Sequence, residues 1–220
     1  MKKKILSLLL ALAMCLSLSV PAWAVENSPS PELESASTTT LPESDKNTYY
    51  FIDPALESAK TRAGSDYLYS YYSHVSNTIT QYNSSDPINH VFIGSVANGE
   101  TLITERKFTT SGQISFSAGV EADIKEAIRI REGADASFFM SFTVAIGTVF
   151  EFPSNVTGNG ASFYTSTWFD RYLYTYARYD VYQGQTGGLG VGLEHRFMGN
   201  VSRSAEIPKE YRYSIPGFVG

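Results

Sequence analysis

The chain has 220 residues, 43% of them hydrophobic and 14% aromatic, with 17 Lys and Arg against 22 Asp and Glu. This is globular composition, which excludes collagenous, coiled-coil and wholly disordered chains. A net charge of −5 excludes the phosphate-neutralising surface of a nucleic-acid binder and a polybasic membrane patch.

Met1 to Lys4 are basic, Ile5 to Val20 are apolar except for Ser7, Ser17 and Ser19, and Ala22-Trp23-Ala24 is a small-x-small site. This pattern predicts an export signal cleaved after Ala24 and an extracellular location. The competing reading is a membrane anchor, but the unbroken apolar run is short for a span of ~20 residues and no stop-transfer flank follows. Cys15 follows Met14 inside the apolar run, which does not fit a lipoprotein site. Removing residues 1–24 takes away three lysines and the one cysteine, leaving 14 basic and 22 acidic groups and a charge of −8. A cysteine-free mature chain has no disulfides, thiolate metal sites or cysteine nucleophiles.

Residues 25–48 are rich in Ser, Thr, Pro and Glu, with Pro29, Pro31 and Pro42, and are expected to form a disordered spacer. Residues 49–220 then form a single β-rich domain. It opens with Tyr49-Tyr50-Phe51-Ile52, and Asp53-Pro54 is an N-cap and first-turn pair for one or two helical turns through Lys60. From Tyr67 to Ile79, alternating Tyr, Val and Ile predict one long strand or two joined by a bulge, ended by Asn83-Ser84-Ser85-Asp86-Pro87. Val91 to Val96 is a short strand, and Asn98-Gly99 predicts a hairpin turn into the strand beginning at Thr101.

Two segments alternate clearly. Phe108, Ile114, Phe116 and Ala118 share a parity with Thr110 and Gly112, whereas Thr109, Ser111, Gln113, Ser115 and Ser117 are polar. Between Phe138 and Phe152, seven of the eight even positions are apolar, and Ser141, Thr143, Ala145 and Gly147 lie between them. Period two over this length means strands with one face in a core. Val120 to Arg131 fits a helix, with Val120, Ile124, Ala127 and Ile128 on one face and Gly133 as a stop; its parity also allows the strand to continue. Pro153 to Gly160 is a turn cluster, Ser162 to Tyr182 holds nine aromatics in 21 positions, and Gly184 to Gly192 is a glycine-rich loop. Leu193 to Met198 and Tyr211 to Ile215 are expected as short closing strands. The fold class is mainly β, an antiparallel β-sandwich or flattened barrel with long strands and one or two short helices.

Chemistry is sparse. His74, His90 and His195 stand apart from one another, without metal-ligand spacing. Gly94-Ser95-Val96 lacks the second glycine of a nucleophile elbow, and Gly188-Leu189-Gly190-Val191-Gly192 has neither the spacing nor the helix of a dinucleotide loop. Glu105, Glu151, Asp170, Asp180 and Glu194 are candidates for a paired-carboxylate hydrolase, with an acidic solvated face as the ordinary alternative. The aromatics Tyr164, Trp168, Tyr172, Tyr174 and Tyr176 share one parity and form a candidate ligand platform, because flat rings on a sheet offer area at low entropic cost. Segments 108–118 and 138–150 meet the pattern of a membrane-spanning β-hairpin, which a sandwich core also demands.

The run from Phe108 to Ile128, the second alternating strand ending at Phe152-Pro153, Gly158, Gly160 and the Tyr-rich strand to residue 182 resemble a group of exported proteins from Gram-positive bacteria. That resemblance implies a secreted β-rich domain with a short helix between two long strands. It brings no catalytic residues. The long Ser/Thr-rich strands are also similar to those of aerolysin-type pore-formers, with Ile124-Lys125-Glu126 at the tip that would cross lipid. The expected protein is non-catalytic, needs no cofactor, and acts by binding or assembly. Its candidate partners are a glycan, the cell envelope or another copy of itself, with membrane insertion and pore formation as the alternative.

Overall fold

The computed structural model describes residues 40–63, 66–155, 157–186 and 190–217. The predicted export signal and residues 25–39 of the predicted spacer lie outside them. Eleven elements follow in chain order: β1 (Thr48–Phe51), α1 (Pro54–Ala63), β2 (Tyr67–Ala97), β3 (Thr101–Ile103), β4 (Phe108–Gln113), β5 (Ser115–Phe116), α2 (Ala122–Glu132), β6 (Phe139–Val144), β7 (Val149–Glu151), β8 (Gly160–Thr186) and β9 (Gly190–Gly217). The main sheet is antiparallel in the order β1-β2-β8-β9-β5, and β3-β7 and β4-β6 form separate two-stranded ribbons. The fold is mainly β with two helices, as expected, and the sheet does not close into a barrel.

Long strands carry the architecture. β2, β8 and β9 run for 31, 27 and 28 residues, roughly 90 Å or more of extended chain each. β9 absorbs both predicted closing strands and part of the glycine-rich loop in one element. The β8–β9 ladder keeps one register from Gly160↔Gly217 to Arg178↔Gly199, where a single shift precedes Tyr179↔Phe197. Gly199 sits at that shift with φ 118°, a conformation that side chains with a Cβ avoid.

β2 is less regular. Between Ile79↔Tyr172 and Gly94↔Phe163 it uses 15 residues against 9 of β8. Asn83 and Asn89 adopt left-handed backbone there, at φ 49° and 56°, which Asn tolerates better than most residues. The expected stop at Asn83 to Pro87 is therefore a bulged stretch inside one strand, and the bulges twist this edge away from further pairing. Asn98-Gly99 does turn the chain, with Gly99 at φ 85°, but it leads out of the main sheet into β3, whose partner is β7.

Two cores result. Because the β8–β9 register is unbroken between 160 and 178, odd and even residues of β8 keep to opposite faces. Ala161 and Phe163 pack with Ile93, Val96, Phe108, Val144 and Phe150 on one face. Tyr174 and Tyr176 pack with Phe51, Tyr72, Ile124, Ile128, Ala205 and Ile207 on the other. The segment from β4 to α2 spans both: Gly112 rests so closely on β8 and β9 that a Cβ would lie 2.7 Å from Thr167 and 2.8 Å from Pro208, and then β5 pairs with the edge of β9. Past that edge, Ile114 and Val120 enter the second core.

The helices follow local rules. Asp53 Oδ1 accepts the Ala55 N–H at 2.9 Å and caps α1. Within the stretch expected as helix or strand the chain is helical from Ala122 on, and α2 buries Ile124, Ala127 and Ile128 and ends at Gly133, whose φ of 71° lets its N–H return to the last carbonyls. Its N-cap Glu121 makes no capping bond. Its carboxylate is taken instead by Arg203 on β9, with Nε at 2.9 Å and the second nitrogen closer still. The end of the predicted spacer is bound to the domain: Ser44 Oγ accepts the Tyr50 N–H at 2.9 Å, and Asp45 Oδ1 accepts the Asn47 and Thr48 N–H groups at 2.7 Å.

Candidate functional site

The segment from Thr101 to Glu151 leaves the main sheet, returns to it, and carries α2 at its tip. β3 and β7 pair Thr101↔Glu151 through Ile103↔Val149, and β4 and β6 pair Phe108↔Val144 through Gln113↔Phe139. Five residues lead from Ile103 to Phe108 and five from Val149 to Val144, so the two ribbons share one register with no residue in excess. The Thr104 N–H to Thr148 C=O bond at 3.0 Å and the Ile114 N–H to Phe138 C=O bond at 2.9 Å extend the ladder further. By parity, Leu102, Phe108, Ile114, Phe138, Met140, Phe142, Val144 and Phe150 fall on one side with Thr104, Thr110 and Thr148, and Thr109, Ser111, Gln113, Ser141 and Thr143 fall on the other with Ile103, Phe139 and Val149. Arg106 interrupts the apolar side, its guanidinium 5.0 Å from the centre of the Phe108 ring.

A kink at 145–148 separates the two ribbons. Thr104 Oγ1 and Thr148 Oγ1 both donate to the Ala145 carbonyl, at 2.7 and 2.8 Å, and Gly147 turns the chain at φ 82°. At the other end of β6, Phe138 has φ 65°, a conformation costing a bulky residue about 1–2 kcal/mol. Positive φ thus brackets β6, relaxed at Gly147 and strained at Phe138. The contact with the sheet is itself poorly satisfied: the hydroxyls of Thr110 on β4 and of Thr165 and Thr167 on β8 are buried without a hydrogen-bond partner. Each such group costs about 1–3 kcal/mol. Ile103, Phe139, Ile146 and Val149 are exposed along the segment.

The predicted aromatic platform divides. Tyr164 and Trp168 lie on the face opposite the hairpin, in a row where Phe92, Tyr164 and Tyr213 are direct cross-strand neighbours. Tyr174 and Tyr176 are 0% and 2% exposed in the core beneath α2, and Tyr172 packs against that core. They share the parity of Tyr164, but the covered face changes along the strand, which removes them from any platform. Burial raises the hydroxyl pKa of both Tyr174 and Tyr176, with the Glu132 carboxylate adding to the shift at Tyr174. In the exposed row, rings face one another: Tyr164 on Tyr213 at 5.3 Å and 13°, Trp168 on Tyr211 at 4.0 Å and 23°. The Trp168 Nε1 is buried without a hydrogen-bond partner.

A second row, invisible in any one segment, crosses four strands as Tyr50↔Tyr71, Tyr71↔Tyr179 and Tyr179↔Phe197. Centroid distances along it are 5.6, 4.9 and 5.5 Å. A histidine closes each row: His90 Nδ1 lies 2.9 Å from Tyr213 Oη, and His195 Nδ1 lies 3.2 Å from Tyr71 Oη. Parity within one strand suggests such residues, but only the register joins them.

Several candidate carboxylates are committed to neighbours. Asp170 accepts both bonds of Lys209 Nζ at 2.7–2.8 Å; Asp180, 1% exposed, accepts Ser70 Oγ at 2.7 Å and Arg178 Nε at 3.2 Å; Glu194 pairs with Arg196 at 2.8 Å. Glu105 and Glu151 are exposed on the hairpin segment. Ser95 Oγ is 2.8 Å from Ser162 Oγ within the sheet. The shallow site of about 210 Å³ between β5 and β9 holds Glu206, bonded to Arg171 at 2.6 Å and to Ser85 and Ser115 at 3.1 Å. Burial would raise the Glu206 pKa, yet those donors hold it below the usual range. Among the described residues, no group of three or more His, Cys, Asp or Glu side chains could hold a metal, and no helix is long and apolar enough to cross a membrane.

Comparison with family models, with curated proteins and with solved structures finds no match to this chain.

Proposed function

We propose that this is an exported, non-catalytic protein whose 101–151 segment enters a lipid bilayer as a β-hairpin while copies of the chain assemble. The observation that carries this reading is the single register through both short ribbons, together with the β4–β6 ribbon, which is apolar on one side at Phe108, Met140, Phe142 and Val144 and Ser/Thr-rich on the other apart from Phe139. Straightening the kink at 145–148 joins them without sliding either strand. Residues 108–116 supply nine positions between the charged Glu105-Arg106-Lys107 and the tip, within the ~9–11 that a tilted strand uses to cross a bilayer. Two strands per copy cannot close a barrel, so insertion requires several copies side by side.

The experiment is dye release from liposomes by the chain lacking residues 1–24. Phe142 and Thr143 are neighbours on β6, half-buried and exposed in the soluble fold, and circular dichroism checks that each variant folds. Phe142→Lys puts a cation on the lipid side inside the crossing stretch, opposite Thr110, and is expected to abolish release; Thr143→Lys, opposite Thr109 on the water side, is expected to retain it. No release by the unsubstituted chain, or equal release by both variants, defeats the proposal. Binding of a glycan to the Trp168 row is less well supported, because the ring faces are occupied by one another; it predicts quenching of Trp168 emission by cell-wall polysaccharide, and we expect none.

A further inference from the structure

The last turn of α2 docks at a place where three buried polar atoms lack hydrogen-bond partners: His74 Nε2 on β2, Tyr176 Oη on β8 and Arg131 Nε on α2. His74 and Tyr176 are cross-strand partners with rings edge to face at 5.7 Å, and the Arg131 charge acts on both. The same arginine donates from Nη1 to the Lys46 carbonyl at 3.1 Å and to Asn47 Oδ1 at 3.4 Å, and the Asn47 carbonyl accepts the His74 N–H at 2.8 Å. His74 thus meets Tyr176 in the sheet, donates its N–H to Asn47 in the segment leading into β1, and is joined through that asparagine to Arg131 at the helix end.

The charged and titratable groups around His74 are few. α2 brings Arg131 and Glu132, β8 brings Tyr174 and Tyr176, the segment before β1 brings Lys46 through its backbone, and β2 itself brings Tyr72. The Glu132 carboxylate is occupied by the Tyr174 hydroxyl at 2.9 Å. A proton on His74 would therefore place a second cation against Arg131 with no carboxylate bonded to either. We propose that His74 is a proton-operated latch: neutral, it lets the Arg131 end of α2 dock; protonated, it expels that end and frees the tip of the 101–151 segment.

Burial first, and the Arg131 charge second, lower the His74 pKa from its usual value of 6.5. Docking is then at full strength above that value and weakens as pH falls through it toward the lower docked value. Asp123, near the other end of α2, has the opposite sign. Burial and the Asp53 charge, partly offset by Arg178, raise its pKa, so its protonation in the carboxylate range favours docking. The latch consequently operates between about pH 6.5 and the carboxylate range.

Its biological meaning rests on the membrane reading, but the latch can be measured without lipid. Hydrogen exchange over residues 120–133, corrected for intrinsic exchange and compared at pH 7.5 and 5.5, is expected to lose protection by up to about tenfold, the ceiling set by titrating one group one pH unit below its usual value. His74→Gln is expected to remove that loss. Arg131→Gln is expected to shrink it and to move the His74 titration, followed by NMR, back towards the usual value. Equal protection at both pH values in the unsubstituted chain, an undiminished loss in His74→Gln, or a His74 titration at or above the usual value overturns the latch. Where a variant fails to fold, the His74 titration in the unsubstituted chain decides. Acid-induced exchange without dye release would sink the membrane reading and leave the latch; release that is independent of pH and of His74 would do the reverse.

Discussion

The β8–β9 pair and the 101–151 segment are built from the same alternation, yet they are held in different ways. β8 and β9 share 27 register pairs with one shift, and the Ser70, Asp180 and Arg178 cluster beside them is hydrogen-bonded, while Ser166 Oγ and Trp168 Nε1 on β8 are buried without partners. The hairpin is kinked, bracketed by positive φ at Phe138 and Gly147, and seated on threonine hydroxyls that find no partner. Alternation makes a strand, but what a strand is laid against decides whether it is a spine or a segment that can leave. Helix α2 belongs to neither region alone. Its apolar face is fully buried, while its ends are tied by Glu121 to Arg203, by Glu132 to Tyr174 and by Arg131 to the segment before β1.

The largest test of that contrast is truncation of one aromatic in each region. Tyr174 is 0% exposed between the sheet and α2, so Tyr174→Ala is expected to cost about 3–5 kcal/mol. Phe142, half-buried on the hairpin, is expected to cost under about 2 kcal/mol on the same change. Urea unfolding of both variants measures the difference, and equal losses would mean that the hairpin is as firmly held as the spine.

A smaller effect sharpens the kink. Gly147 occupies φ 82° with nothing within 4 Å of an added Cβ, so Gly147→Ala meets no clash and only the backbone penalty remains. That penalty is about 1–2 kcal/mol against the kinked form and absent in an extended ribbon. The expected outcome is a modest drop in melting temperature together with faster dye release. A drop in both stability and release would show that the kink belongs to the active form.

Much of this was legible in the sequence. The alternation at 108–118 and 138–152 was readable because each has a core on one side only. The two long strands expected there are nevertheless short pieces, broken at Ile114 and at the 145–148 turn, because turn hydrogen bonds and Gly147 interrupt the ladder without disturbing the parity. The α2 boundaries followed from Gly133 and the spacing of Ile124, Ala127 and Ile128. The placement of Tyr172, Tyr174 and Tyr176 was not legible: β8 buries opposite faces at its two ends, and a periodicity that never breaks cannot report which face is covered. Likewise, Asn83 to Pro87 carries every sign of a turn, and whether such residues end a strand or bulge it is decided by a partner strand distant in sequence. The two aromatic rows and the His74 site are assembled from three or four strands each, so nothing within one segment announces them.

The smallest expected effect has the opposite sign from the others, which makes it the most discriminating. Thr110 and Thr167 are buried at 2% and 0% exposure where the hairpin meets β8, and each keeps a hydroxyl without a partner. Valine has nearly the same shape, and replacing an unpaired buried hydroxyl with a methyl group removes a desolvation cost while preserving packing. Thr110→Val and Thr167→Val are each expected to stabilise docking by about 1 kcal/mol. The gain should appear as slower hydrogen exchange at 108–113 and 139–144, and, through tighter docking, as slower dye release. If either substitution loosens the hairpin instead, that hydroxyl has a partner that holds the segment in place, and the contrast with the spine fails at its most specific point.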